Sequence, residues 1–208
     1  MPKITDIQVQ KNNKTRANVY IDGEFAMGLE MLTVMKLGLK IGREVSEQTL
    51  EEAVFDSEKS VAFTKAVDYL SRAMKTRRQM RDYLLGKGYS QKIVNYVLDK
   101  LQEYRYVDDE AYAKLYVEQN SASKGERRIR QELQLKGVAR DVIDRYCVIP
   151  SESSDTAAQT LADKYMRGKT RDAKTAQKLQ RYLLSRGYDF DTVNRLIRAY
   201  AADEQFDD

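Results

Sequence analysis

The sequence predicts a mainly helical protein: three tandem three-helix repeats behind a small N-terminal antiparallel β segment. Three observations predict it. From about residue 57 onward every apolar pattern has helical spacing. One short glycine-centred word recurs three times. Only 10 Gly and 2 Pro occur in 208 residues, too few for a loop-rich all-β chain or for long linkers.

The β segment comes first. Ile7 and Val9, then Ala17, Val19 and Ile21, then Phe25, Met27 and Leu29 alternate with other residues. Lys11-Asn12-Asn13-Lys14 reads as a turn, and Asp22-Gly23 as a tight hairpin, because glycine there accepts positive φ. Three short strands are marginal alone, so the sheet should pack on a helix. Glu30–Leu37, closed by Gly38, is the first candidate. Ser46 should cap a second helix carrying Leu50, Ala53 and Val54, with a separate helix from Ser57 to Arg72.

The recurring word is Leu84-Leu85-Gly86-Lys87-Gly88-Tyr89, then Leu133-Gln134-Leu135-Lys136-Gly137-Val138, then Leu183-Leu184-Ser185-Arg186-Gly187-Tyr188. Its glycines are 49 and 50 residues apart. Met80, Ile129 and Leu179 stand eight residues before them, and Val94, Ile143 and Val193 six after. Glycine ends a helix in the left-handed conformation, and the preceding cation suits the negative helix end. Ser90 and Asp189 then cap the next helix, with Ala139 a poorer cap in the middle copy. A further helix precedes each word, the later two near Asp109–Asn120 and Asp155–Tyr165. Short three-helix units bury little core alone, so successive units should stack. The expected organisation is 1–56 for the β segment with short helices, 57–107, 108–150 and 151–208 for the repeats, the last with an acidic tail.

Composition removes most catalytic chemistry. With no His there is no imidazole base and no histidine metal ligand. The single cysteine, Cys147, lies in an apolar stretch and reads as a small core residue. Asp108-Asp109-Glu110 reads as a helix cap rather than a metal site, and no phosphate-binding glycine loop occurs. No enzyme, cofactor or metal is expected. The N-terminus lacks a signal peptide's apolar core and no run approaches a membrane span, so a cytoplasmic protein is expected.

The net charge of +4 is unevenly placed. Residues 1–60 carry −2, residues 61–107 carry +6, and the two remaining stretches balance. Basic residues gather around the start of each repeat's second helix: Arg72, Lys75, Arg77, Arg78 and Arg81; then Lys124, Arg127, Arg128 and Arg130; then Lys169, Arg171, Lys174 and Lys178. That end of a helix also favours anions. These stretches read as solvated helix faces or as a basic stripe for an acidic protein groove or a phosphate backbone.

The helical part resembles the RecX family, regulators of the RecA recombinase. Asp108-Asp109-x-x-Tyr112-Ala113 followed by Lys124-Gly125-x-Arg127-Arg128-Ile129-x-x-Glu132-Leu133-x-x-Lys136-Gly137-Val138 is similar to that family's central motif. Ala66-x-x-Tyr69-Leu70-Ser71-Arg72 with Leu84 and Gly88-Tyr89 fits the first unit, although Gln79-Met80 stands where an acidic residue and Leu are commoner. Gly187-Tyr188 with Val193 aligns the third. The β segment looks like the extension of longer family members. The resemblance covers about residues 60–200. It implies an elongated crescent that binds the groove of the RecA–single-stranded DNA filament and inhibits ATP hydrolysis, strand exchange and filament extension, in DNA repair, homologous recombination and the SOS response. It implies no catalysis. The contacts would be Arg72, Lys75, Arg77, Arg78, Arg81, Lys124, Arg127, Arg128, Arg130, Arg171, Lys174 and Lys178, with Arg127 and Arg128 foremost. A monomer is expected, with DNA, single- or double-stranded, a further possible partner. Two alternatives stay open: a general nucleic-acid-binding protein whose Lys-Gly and Arg-Gly words are helix-turn-helix turns, and a helical scaffold for some other protein.

Overall fold

The computed structural model describes residues 1–202, the side chains of 201 and 202 excepted; the acidic tail expected after Ala202 lies outside these residues. The protein is mainly helical, with one three-stranded sheet. The chain forms two compact units, residues 1–74 with 80–106, and residues 75–79 with 107 onward.

In the first unit, β1 (Ile4–Val9), β2 (Arg16–Ile21) and β3 (Glu24–Glu30) form an antiparallel sheet in that order. Asp22 and Gly23, both at positive φ, close the β2–β3 hairpin. Alternation puts Ile4, Ala17, Val19 and Leu29 on one buried face. This face packs with Val34 of α1 (Met31–Lys36), with Leu39 and Val45, and with Ala53 of α2 (Glu47–Leu70). The sheet therefore has the helical support that three short strands require.

Helix α2 is continuous over 24 residues, where the sequence suggests two helices. Ser46 caps it by accepting the Thr49 amide, as expected. Ser57, where the second helix is expected to begin, instead sits fully buried mid-helix and accepts the Glu30 amide at 2.8 Å. No Gly or Pro lies between Val54 and Ser57, so nothing interrupts the helix. Helices α3 (Arg77–Gly86) and α4 (Gln91–Glu103) follow.

The second unit holds α5 (Asp109–Asn120), α6 (Glu126–Leu135) and α7 (Arg140–Tyr146), then α8 (Ser151–Met166), α9 (Ala173–Ser185) and α10 (Phe190–Ala202). Ile129, Leu133, Ile143 and Cys147 share one core with Ala113. Leu179, Leu183, Tyr188 and Val193 share another with Ala158 and Ala162. The six apolar positions that flank the repeated word are buried, as are Leu84, Leu133 and Leu183, which open it. The word folds as its composition dictates: Gly88, Gly137 and Gly187 have φ of 85°, 87° and 89°. Ser90 and Asp189 cap the next helices, while Ala139 makes no side-chain cap bond.

Candidate partner-binding surface

The three basic stretches lie where the second helix of each repeat begins, and hydrogen bonds within the protein already engage part of each helix start. Thr76 and Gln79 form a reciprocal cap ahead of α3, each side chain accepting the other's backbone amide. The Arg77 amide is taken by the Asp109 carboxylate at 2.8 Å. Thr76 Oγ1 donates to the Lys136 carbonyl, and the Gly125 amide donates to the Arg186 carbonyl. The Lys-Gly or Arg-Gly turn of one repeat thus occupies the helix start at residues 76 and 125. In the third repeat Asp172 caps α9 through the Thr175 amide, which holds its carboxyl below the usual carboxylate range. At α3 and α9 these caps take up first-turn amides, while at α6 the bond is made by the capping Gly125.

The side chains divide into paired and unpaired cations. Lys124 and Arg128 both bind Glu132, at 2.6 and 2.8 Å. Tyr116 donates to the same carboxylate at 2.6 Å. Burial alone would raise Glu132, but the hydrogen bonds from Lys124, Tyr116 and Arg128 outweigh it and hold the carboxyl at about 2. Arg130 bridges Glu126 and Asp144 and donates to the Cys147 carbonyl at 3.0 Å. These three cations serve the second repeat itself. Lys75, Arg77 and Arg78 also have interactions within the protein, as does Arg171, whose guanidinium lies 5.7 Å from the Tyr200 ring. Arg72, Arg81, Arg127, Lys174 and Lys178 are exposed and have no ion pair among the described residues.

Of these, Arg127 has the most structured surroundings. It lines a groove of about 910 Å³ with Gln131 and Gln134 of α6, Leu184 of α9, Tyr188 and Phe190. Phe190 is 60% exposed. The Tyr188 hydroxyl is buried without a hydrogen-bond partner among the described residues, and burial pushes it up to about 12. Arg127 is legible in the motif, but the apolar wall beside it is not, because Leu184 and Phe190 come from 57 and 63 positions further along the chain.

The other candidate chemistry resolves as structure. Asp108 accepts the Glu110 and Ala111 amides as an N-cap. Burial raises Asp109 despite its bond from the Arg77 amide, and burial raises Cys147 to about 11. Among the described residues no three His, Cys, Asp or Glu side chains are placed to hold a metal ion. No described helix is long and apolar enough to cross a membrane.

Comparison with known proteins follows this architecture element by element. A family model described as the regulatory protein RecX N-terminal domain matches residues 2–46. Models of the first, second and third RecX three-helix domains match residues 62–101, 108–146 and 153–197. The regulatory protein RecX of Clostridium tetani is 34% identical over 200 residues, covering 94% of this chain and 93% of that protein. That of Clostridium perfringens is 32% identical over 209 residues, covering 98% and 99%. A crystal structure of regulatory protein RecX aligns with a TM-score of 0.68 at 28% identity, over 94% of this chain and 98% of that one. RecX from Lactobacillus salivarius, at 22% identity and a TM-score of 0.62, shares the fold over 69% of this chain and 97% of its own. With its sheet and all three of its helical repeats matched in order, the chain belongs to the RecX family of regulatory proteins.

Proposed function

We propose that this chain is a non-enzymatic regulator that binds the RecA–single-stranded DNA filament as a monomer in the cytoplasm. It inhibits the filament's ATPase, strand exchange and extension. The observation that carries this reading is the match of every domain to the RecX regulators, N-terminal domain included. The contact would be electrostatic, made by exposed cations with no carboxylate partner among the described residues, Arg127 first. Lys124, Arg128 and Arg130 take a lesser part, because their charge is already matched inside the second repeat. The helix-turn-helix alternative is weakened by the turns themselves. Two of the three turns, those of Gly137 and Gly187, lie against Arg78 and Arg128, whereas a Cβ at Gly88 would meet nothing within 4 Å.

A titration of RecA, single-stranded DNA and ATP tests the reading. Stoichiometric protein should depress ATP hydrolysis, and Arg127→Glu should raise the amount needed for half-effect by roughly tenfold. Arg128→Ala should change it little beyond any loss of stability. Unchanged hydrolysis with the unaltered protein would sink the proposal.

A further inference from the structure

The groove beside Arg127 lies where the second and third repeats meet, within the second unit. One wall is α6, where Arg127, Gln131 and Gln134 are exposed. The other wall carries Leu184 and Phe190 of the third repeat. The Gly125 amide donates to the Arg186 carbonyl at 3.0 Å and ties the start of α6 to the turn ahead of α10, so the two walls hold their spacing before any partner arrives.

The fold does not call for an aromatic ring at Phe190. It is the first residue of α10 and stands three places after the repeat glycine. At the same place Gln91 opens α4 and Arg140 opens α7. A polar side chain therefore serves two repeats, while the third exposes 60% of a phenylalanine to water. The charge on the opposite wall is also unmatched. Glu126 is engaged by Arg130 at 2.7 Å, and Asp189 accepts the Thr192 amide at 2.8 Å. Of the charged side chains lining the groove, only Arg127 has no ion pair or side-chain hydrogen bond among the described residues.

These features discriminate between partners. A phosphate chain laid in the groove would meet the carboxylates of Glu126 and Asp189 with one free cation to offset them, which is the wrong balance for nucleic acid. A peptide suits every part. The Gln131 and Gln134 side chains each offer a donor and an acceptor to peptide groups. An aromatic ring beside an unmatched arginine is the composition of a protein-binding hot spot.

We propose that this groove takes an extended segment of RecA in which a large apolar side chain stands next to a carboxylate. The apolar side chain packs on Phe190 and Leu184, the carboxylate pairs with Arg127, and the two glutamine amides hold the segment's backbone. This rests on the RecA reading and identifies by its chemistry the part of RecA that is held.

The test is sedimentation of the labelled full chain with RecA filaments formed on single-stranded DNA with a non-hydrolysable ATP analogue. Phe190→Gln installs the residue that the first repeat carries, so the melting temperature should not fall, while affinity for the filament should drop about tenfold. Phe190→Trp should retain the affinity. Gln131→Glu places a carboxylate four residues after Arg127, where it pairs with the guanidinium on the helix itself. It should weaken binding several-fold without loss of stability. A photocrosslinking benzoylphenylalanine at position 134 should join RecA, at a segment where Asp or Glu neighbours a large apolar residue. Absence of binding by the unaltered chain would remove the RecA reading and this proposal together. Binding by the unaltered chain that neither Phe190→Gln nor Gln131→Glu diminishes would overturn the groove alone, and so would a crosslink to the DNA in place of RecA.

Discussion

Replacing Gly125 by Ala is expected to destabilise the second unit by about 3 kcal/mol, although Ala fits the local backbone without strain. Gly125 has φ of −72° and ψ of 161°, an ordinary extended conformation. Its importance is proximity. A Cβ there would lie 2.3 Å from the Gly187 oxygen, 2.4 Å from the Gly187 carbon and 2.5 Å from the Tyr188 nitrogen. All three are backbone atoms and cannot rotate away. The two repeats would have to separate, stretching the hydrogen bond from the Gly125 amide to the Arg186 carbonyl, now 3.0 Å. Tyr188, 2% exposed, would lose part of its burial.

Overpacking of this kind costs about 1–3 kcal/mol and a lost hydrogen bond about 1 more. In a unit of this size that is a fall in melting temperature of roughly 10 °C or more. Gly88→Ala is the control. Its φ is left-handed, unlike that of Gly125, but a Cβ there meets nothing within 4 Å. Only the conformational cost of about 1–2 kcal/mol should appear. Gly187→Ala combines both terms, since its Cβ would lie 2.4 Å from the Arg128 Cβ. Thermal unfolding of the three variants decides the matter. If Gly125→Ala melts with Gly88→Ala or above it, close approach of the turns is not what joins these repeats.

These contacts set the boundary of what the sequence can reveal. The glycines 49 and 50 residues apart announce three helix ends, because positive φ is a local demand. Their flanking apolar residues announce the cores, because burial follows periodicity. Gly125 carries neither signal, since its reason is a backbone 62 residues away. The joining of the two expected helices into α2 has a related cause, since Ser57 is held mid-helix by the Glu30 amide, 27 residues earlier in the chain. The basic stretches were legible as stretches but not as individual charges. Part of that division did lie within reach. Glu126–Arg130 and Arg128–Glu132 are spaced i,i+4, and both pairs form. Arg127 has Ser123 and Gln131 at those places, so no carboxylate on its own helix can match it. Lys124 was beyond such reasoning, because it reaches Glu132 from eight residues away beside Tyr116.

Glu132 itself supports the other large prediction. Five residues before the repeat glycine, the first and third repeats have Tyr83 and Tyr182, which stack on Tyr69 and Tyr165 at 4.0 and 4.9 Å. The second repeat has Glu132 there, and joins its helices through Tyr116, Lys124 and Arg128 instead. Glu132→Gln keeps the shape and removes the charge. It leaves Lys124, 21% exposed, without its carboxylate, and should cost about 2 kcal/mol at neutral pH. The sign of the pH dependence follows from the direction of the shift. Burial raises the Glu132 carboxyl, but its three donors outweigh that and hold it at about 2, below the ordinary value of 4.5. A depressed carboxylate stabilises the fold fully above its unfolded value and loses that contribution as pH falls through the folded one. The gap between wild type and Glu132→Gln should therefore be full above about pH 5 and close between pH 4.5 and about 2. Denaturant unfolding at neutral pH and near pH 3 measures it. A gap that stays constant with acid would mean that Glu132 acts in this repeat by its shape and not by its charge.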